Sequence, residues 1–304
     1  MFQSILVPLD GSRFAEAALP WAGRLARSAH GGIQLLMIQP TAGDEALVPA
    51  GDNKDAPWRG DADGDAARRR GYLAETVQRI AGRAPECSFA LRTGPPAETL
   101  QQAIEELSPE LVVMSTHGAG SLSPFWLGSV ADYLLRVVHT PLLLVRPEPP
   151  EAARPMPPLR RIVVATDLSE SAAQILDVVR RLACLEQAHV TLLHVVEPAP
   201  LAPPVPGITW RMGANLENDI GKAQVELDRL ASELRRHGIR SAARVETATD
   251  IAGAILRYLR EAADLVALTT HGAGGPREML IGSVADKVIR GATKPVLVQR
   301  PSIA

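Results

Sequence analysis

The chain contains one stretch twice. Ser115-Thr116-His117-Gly118-Ala119-Gly120 runs on to Gly128-Ser129-Val130-Ala131-Asp132, and Thr269-Thr270-His271-Gly272-Ala273-Gly274 runs on to Gly282-Ser283-Val284-Ala285-Asp286. In each copy an apolar run, Leu111 to Met114 or Leu265 to Leu268, leads into a Gly-rich turn, with a Gly-Ser pair ten residues beyond the turn glycine. The offset between copies (272 − 118 and 282 − 128, both 154) is about half of the 304 residues. Such a length is long for one core and comfortable for two domains of about 150 residues. A strand, a loop and a helix opening at Gly-Ser are parts from which phosphate sites are commonly built.

The rest of the chain fits that plan. Ile5 to Leu9 has the pattern of a buried strand, Asp10-Gly11-Ser12 that of a turn, and Ala15 to Ala29 that of a helix, with Ser12 as its N-cap and Pro20 expected to kink it. Ile33 to Ile38 reads as a second strand, and residues from about Pro40 to Gly64 as a long loop or lid. A helix over Asp65 to Ala84, a strand over Ser88 to Arg92, a helix over Ala97 to Leu107, strand Leu111 to Ser115, helix Ser129 to Val138 and strand Leu142 to Val145 complete the first half. Glu148 to Pro158, dense in proline, is the expected linker between domains 1–147 and 159–304.

The second half answers it. Arg161 to Ser169 matches Ser4 to Ser12, and Val190 to Val195 matches Ile33 to Ile38, both at an offset of 157; the later change to 154 places a net loss of three residues in the loop Glu197 to Gly213. Helix Ala214 to His237, strand Ala242 to Glu246, helix Ile251 to Ala262, strand Leu265 to Leu268, helix Ser283 to Arg290 and strand Val296 to Val298 follow. Five apolar strands alternating with helices in each half predict an α/β fold: two Rossmann-like domains, each a five-stranded parallel sheet with helices on both faces. Ligands of such sheets bind beyond the carboxyl ends of the strands, where the strand order reverses.

Composition narrows the function classes. A formal net charge of −2 with 22% charged residues offers no basic excess for nucleic acid. No apolar run is long enough to span a bilayer and no leader precedes Ile5, so neither a membrane nor export is expected and the cytoplasm is the default. Cys87 and Cys184 lie at non-equivalent places, which sets aside a disulfide framework and a thiolate metal site.

Each candidate residue has a plain structural reading beside the functional one. Gly118 and Gly272 suit either a simple turn or close approach of a ligand. Ser129 with Asp132, and Ser283 with Asp286, have capping-box spacing as well as the amides and hydroxyl of an anion site. Asp10 and Asp167, each closing the first strand of its half, suit an Asx turn as well as a ribose or adenine contact. His117 and His271 have no identifiable nucleophile partner and read as turn residues; His194 reads as a packed strand residue. Asp61-Ala62-Asp63-Gly64-Asp65 lacks the spacing of a calcium loop and reads as solvated loop.

Ile5-Leu6-Val7-Pro8-Leu9-Asp10-Gly11-Ser12, the strand Leu192-Leu193-His194-Val195 and the Gly-rich turn followed by Gly-Ser-Val and a final strand resemble the universal stress protein family, here as a tandem of two domains packed as a pseudo-dimer. ATP-binding members carry a Gly-x2-Gly-x9-Gly-Ser/Thr pattern. This chain matches it from the second glycine onward and has Ser115 and Thr269 at the first position. The resemblance implies ATP or another adenine nucleotide as ligand, with Mg2+ left open as its companion. Pro8, Asp10, Ser12, Ala165, Asp167 and Ser169 would line the adenosine, Ile38 and Val195 would offer backbone groups to adenine, and Gly118, Gly128-Ser129-Val130, Gly272 and Gly282-Ser283-Val284 would hold ribose and phosphates. No Gly-Lys-Ser/Thr of a P-loop is present, and the first spacer lacks a cation while the second has Arg277. The expectation is therefore a stress-response or regulatory binding protein without dedicated catalysis. The alternatives are a slow ATPase or nucleotidyl-group enzyme, and a nucleotide-free interaction scaffold; a homodimer or a protein partner stays open.

Overall fold

A computed structural model describes residues 2–41, 62–82, 84–116, 127–147, 156, 158–198, 212–271 and 281–302, with backbone alone for 62–64 and 212–215. The first half runs β1 (Ser4–Leu9), a 3-10 turn (Ala15–Ala17), α1 (Ala18–Ala29), β2 (Gly32–Gln39), α2 (Ala62–Ile80), β3 (Glu86–Thr93), α3 (Pro96–Leu107), β4 (Leu111–Ser115), α4 (Ser129–Val137) and β5 (Leu142–Val145). The second runs β6 (Arg161–Ala165), α5 (Glu170–Ala173), α6 (Ile175–Glu186), β7 (His189–Val196), α7 (Met212–Arg236), β8 (Ser241–Thr247), α8 (Ile251–Ala262), β9 (Leu265–Thr269), α9 (Ser283–Gly291) and β10 (Val296–Gln299).

The ten strands form one sheet in the order β3-β2-β1-β4-β5-β10-β9-β6-β7-β8. Every pairing inside a half is parallel, and the order turns back between β1 and β4 and between β6 and β9. At the centre β5 and β10 pair antiparallel, Leu142 with Val298, Leu143 with Leu297 and Leu144 with Val296. The sequence leaves open whether these final strands pair within the chain or between chains; they pair within it.

Alternate strand residues feed two cores, one on each face of the sheet. Ile5, Val7, Leu35, Met37 and Val113 pack with Leu25 of α1 and Leu73 of α2, while Leu6, Leu36, Val112 and Met114 pack with Leu100 of α3 and Leu134 of α4. Both cores cross the junction: the first continues through Leu143 and Leu297 to Val179 and Leu227, and the second through Leu144 and Val296 to Ile255 and Val288. Each such side chain contributes about 2 kcal/mol on leaving water. No helix of the described residues is long and apolar enough to cross a membrane.

The expected kink at Pro20 is corrected. The chain first makes a 3-10 turn, so α1 begins at Ala18 and Pro20 falls in its first turn, where the missing N–H would have had no helical acceptor. The acidic run around Asp63 is corrected as well: α2 starts at Ala62, so from there the run is helical rather than loop. Asp61, most of the expected loops at 40–64 and 197–213, and most of the linker at 148–158 lie outside the described residues.

Across the junction α1 meets α6, where the Arg24 guanidinium donates through Nε (2.8 Å) and Nη2 to one oxygen of Glu186. The Glu186 side chain is 5% exposed, so removing its cation strands a desolvated carboxylate. Arg24→Met is expected to cost about 2 kcal/mol in urea denaturation; a loss below about 0.5 kcal/mol would contradict this role.

Candidate functional site

Two crevices open where neighbouring strands part. β1 and β4 are paired at Ile5–Leu111 and Leu6–Val112, although both strands continue for three more residues, to Leu9 and Ser115. The sequence supplies the reason. Ser4 presents its backbone carbonyl to the β4 side, accepting from Glu110 at 2.9 Å, so by alternation Pro8 faces the same way and has no N–H to extend the ladder. In the second half Ala165 takes its place, and the β6–β9 ladder reaches one residue further, to Val164–Ala267.

At one wall of each crevice an aspartate closes the first strand. Asp10 Oδ1 accepts the Ser12 N–H at 2.9 Å and the Ser12 hydroxyl at 2.6 Å, while Ser12 Oγ accepts the Ala15 N–H at 3.2 Å. Asp167, Ser169 and Ala172 repeat this at 3.1, 2.7 and 3.1 Å. Each carboxylate thus makes an Asx turn, yet each aspartate remains an exposed residue at the mouth. Ser169 is the N-cap of α5; the expected cap role of Ser12 is corrected, because the first half makes a 3-10 turn that begins three residues later. Gly11 has φ 83° and its counterpart Leu168 φ 66°, a conformation that costs a side-chain-bearing residue about 1–2 kcal/mol. Thr166 Oγ1 accepts the Leu168 N–H at 3.0 Å and supports the second turn.

The opposite wall is the start of α4 or α9. Gly128 N–H donates to Thr116 O at 2.8 Å and Thr116 N–H to Val145 O at 2.9 Å; Gly282, Thr270 and Gln299 repeat this at 2.8 and 3.0 Å. These bonds fasten the helix start to the end of the neighbouring strand. A Cβ on Gly282 would lie 3.3 Å from the Thr270 carbonyl. The capping-box reading is corrected in both halves. The N-caps are Gly128 and Gly282, with no side-chain cap, and Ser129 and Ser283 are already the first helical residues. Asp132 and Asp286 instead accept from Arg136 and Arg290 at 3.0 and 2.8 Å. Amides uncapped by a side chain, with the positive end of the helix dipole, suit an anion.

Pro8, Asp10, Ser12, Ile38, Gly128, Ser129 and Val130 are therefore carried by adjoining strand ends and the α4 start of the first half, and Ala165, Asp167, Ser169, Val195, Gly282, Ser283 and Val284 by those of the second. Gly118, Gly272 and His117 lie outside the described residues. Sequence reasoning missed the two threonine clamps, Thr116 and Thr270, although they recur at the same offset.

The crevices differ chemically. His194 stands where Met37 stands in the first half, half-buried on β7 with Nδ1 2.8 Å from Thr166 O, so that nitrogen carries the proton. His271 Nδ1 lies 2.9 Å from Thr270 Oγ1, and burial, then the charge of Arg300, holds its pKa below the usual value. His189 is lowered by burial and by Arg240.

Two outcomes follow from this geometry. Gly11→Ala is expected to cost about 1 kcal/mol of stability in urea denaturation, and an unchanged midpoint would contradict the left-handed turn. For the histidines, the unfolded chain takes up protons first as pH falls through about 6.5. Stability should therefore drop between pH 7 and 5.5, and His271→Gln should flatten that drop; an equally steep profile in the variant would exclude His271 as a contributor.

A family model described as the universal stress protein family matches residues 1–146 and again 158–300. The chain is 26% identical over 313 residues to a universal stress protein of Mycobacterium tuberculosis (strain ATCC 25618 / H37Rv), covering 98% of this chain and 97% of that one. A universal stress protein of Thermus aquaticus is 33% identical over 149 residues, 48% of this chain and 100% of the relative. Among solved structures, that of a universal stress protein from Archaeoglobus fulgidus DSM 4304 has a TM-score of 0.68 at 20% identity, covering 98% of this chain and 96% of that one. With a family match in each half and a doubled five-stranded α/β fold, the chain belongs to the universal stress protein family.

Proposed function

We propose that this chain holds an adenine nucleotide, ATP foremost, in one or both crevices, and acts as a regulatory or stress-response binding module of the cytoplasm rather than as a catalyst. Residues 1–147 and 159–304 are the two binding domains, joined by 148–158. The carrying observation is the facing pair built twice: an exposed aspartate at the end of β1 or β6, and across the parted strands a glycine-capped helix start at Gly128-Ser129 or Gly282-Ser283.

The residues present suit the parts of a nucleotide. Asp10 and Asp167 can accept from ribose hydroxyls or the adenine amino group through lone pairs that the turn leaves over. Ile38 and Val195, at the ends of β2 and β7, supply apolar contact and backbone groups for the base. The amides of Ser129 and Val130, or Ser283 and Val284, face phosphate without a side-chain cap competing for them. Mg2+ would arrive with the phosphates, since among the described residues no group of three or more His, Cys, Asp or Glu is gathered.

Calorimetric titration with ATP, AMP and buffer tests the reading. Saturable heat with ATP supports it; no heat at millimolar nucleotide would overturn it. Asp10→Asn with Asp167→Asn separates ligand from turn, because an amide oxygen still accepts from Ser12 and Ser169. The double variant is expected to keep its urea midpoint while losing about tenfold in nucleotide affinity. Equal affinity would assign both aspartates to the turns alone.

A further inference from the structure

The junction between the halves holds an exchange of arginines that the nucleotide reading does not use. Arg146 follows β5 directly and Arg300 follows β10 directly, at the offset of the repeat (300 − 146 = 154). Each side chain crosses to the other half. Arg146 Nη2 donates to the carbonyl of Arg290 in α9 at 2.6 Å, and Arg300 Nη1 donates to the carbonyl of Val137 in α4 at 2.9 Å. Both carbonyls belong to the last turn of their helix, where backbone oxygens have no helical donor and the dipole favours a cation. A third bond crosses nearby: Arg290 Nη2 donates to Asp132 Oδ1 of α4 at 2.9 Å, while Arg136 holds Oδ2 of the same carboxylate at 3.0 Å.

These are the helices whose opposite ends, Gly128-Ser129 and Gly282-Ser283, face the crevices. α4 is nine residues long, so a tilt or slip at its carboxyl end is carried to its first amides. Its N-terminus is fixed from its own half by the Gly128–Thr116 bond, and its C-terminus from the other half by Arg300. α9 has the mirrored arrangement.

We propose that Arg146 and Arg300 are positioning residues exchanged between the halves, each holding in register the anion-facing helix that belongs to the opposite crevice. Each crevice is then complete only when the other half is docked, and a change at one half's final strand is felt at the other half's ligand. The ligand part of this inference rests on the adenine-nucleotide reading; the helix part does not.

Its test uses the full-length chain and reads the halves separately. Amide hydrogen exchange by mass spectrometry follows residues 129–137 and 283–291 without ligand, and NMR of the labelled chain follows the Ser129–Val130 and Ser283–Val284 amides during ATP titration. Arg300→Gln is expected to speed exchange in α4 and to weaken ATP at Ser129–Val130 about fivefold, leaving α9 and Ser283–Val284 within twofold. Arg146→Gln should do the reverse. Arg300→Lys keeps the charge and one donor, and should shift the same helix by less; it also serves if the Gln variant fails to fold. Effects confined to the mutated half, or equal in both, would overturn the proposal. If the wild-type chain binds no ATP, the function reading falls while the exchange pattern still decides the role of the arginines.

Discussion

The molecule depends on one short antiparallel ladder. β5 and β10 are four residues each, and their paired residues, Leu142 to Leu144 and Val296 to Val298, are almost wholly buried. Without that pairing each half would present an apolar strand edge to water, an invitation to wrong partners. With it, ten strands share one sheet, and the cores on both faces run through the junction. The antiparallel sense is what a two-fold arrangement requires, and a single chain supplies it by carrying the same domain twice.

That junction also organises the charges. Arg24 of α1 meets a nearly buried Glu186 on one face; Asp132, Arg136, Asp286 and Arg290 gather on the other. Isolated exposed ion pairs contribute little, but these cross from one half to the other and help fix how the halves meet. The helices bearing the second group start at the crevices, so the packing that joins the halves also sets where the uncapped amides stand. Structure and the proposed binding role share these elements.

Much of this was legible in the residues. The 154-residue repeat located both halves, and apolar runs between Gly and Pro breakers located all ten strands to within a few residues. Other features depend on a register that spacing alone does not settle. Ser129 and Asp132 have the separation of a capping box, but the helix starts one residue later than that motif needs, with Gly128 taking the cap position. Pro20 reads as a helix interior residue until the 3-10 turn before it is known. Pro8 was placed at the site, yet its part in parting β1 from β4 required knowing which neighbour its backbone faces. Arg146 and Arg300 sit in plain view after the last strand of each half, but their acceptors are carbonyls of a distant helix, which carry no side-chain signature.

Native mass spectrometry of the full-length chain with ATP tests the central claim most directly, because it counts bound nucleotide and identifies it at once. The account predicts a chain carrying one or two intact adenine nucleotides, lost together when the chain is unfolded. A chain that stays at its unliganded mass in millimolar ATP, and that releases no nucleotide when purified gently from cells, would contradict it.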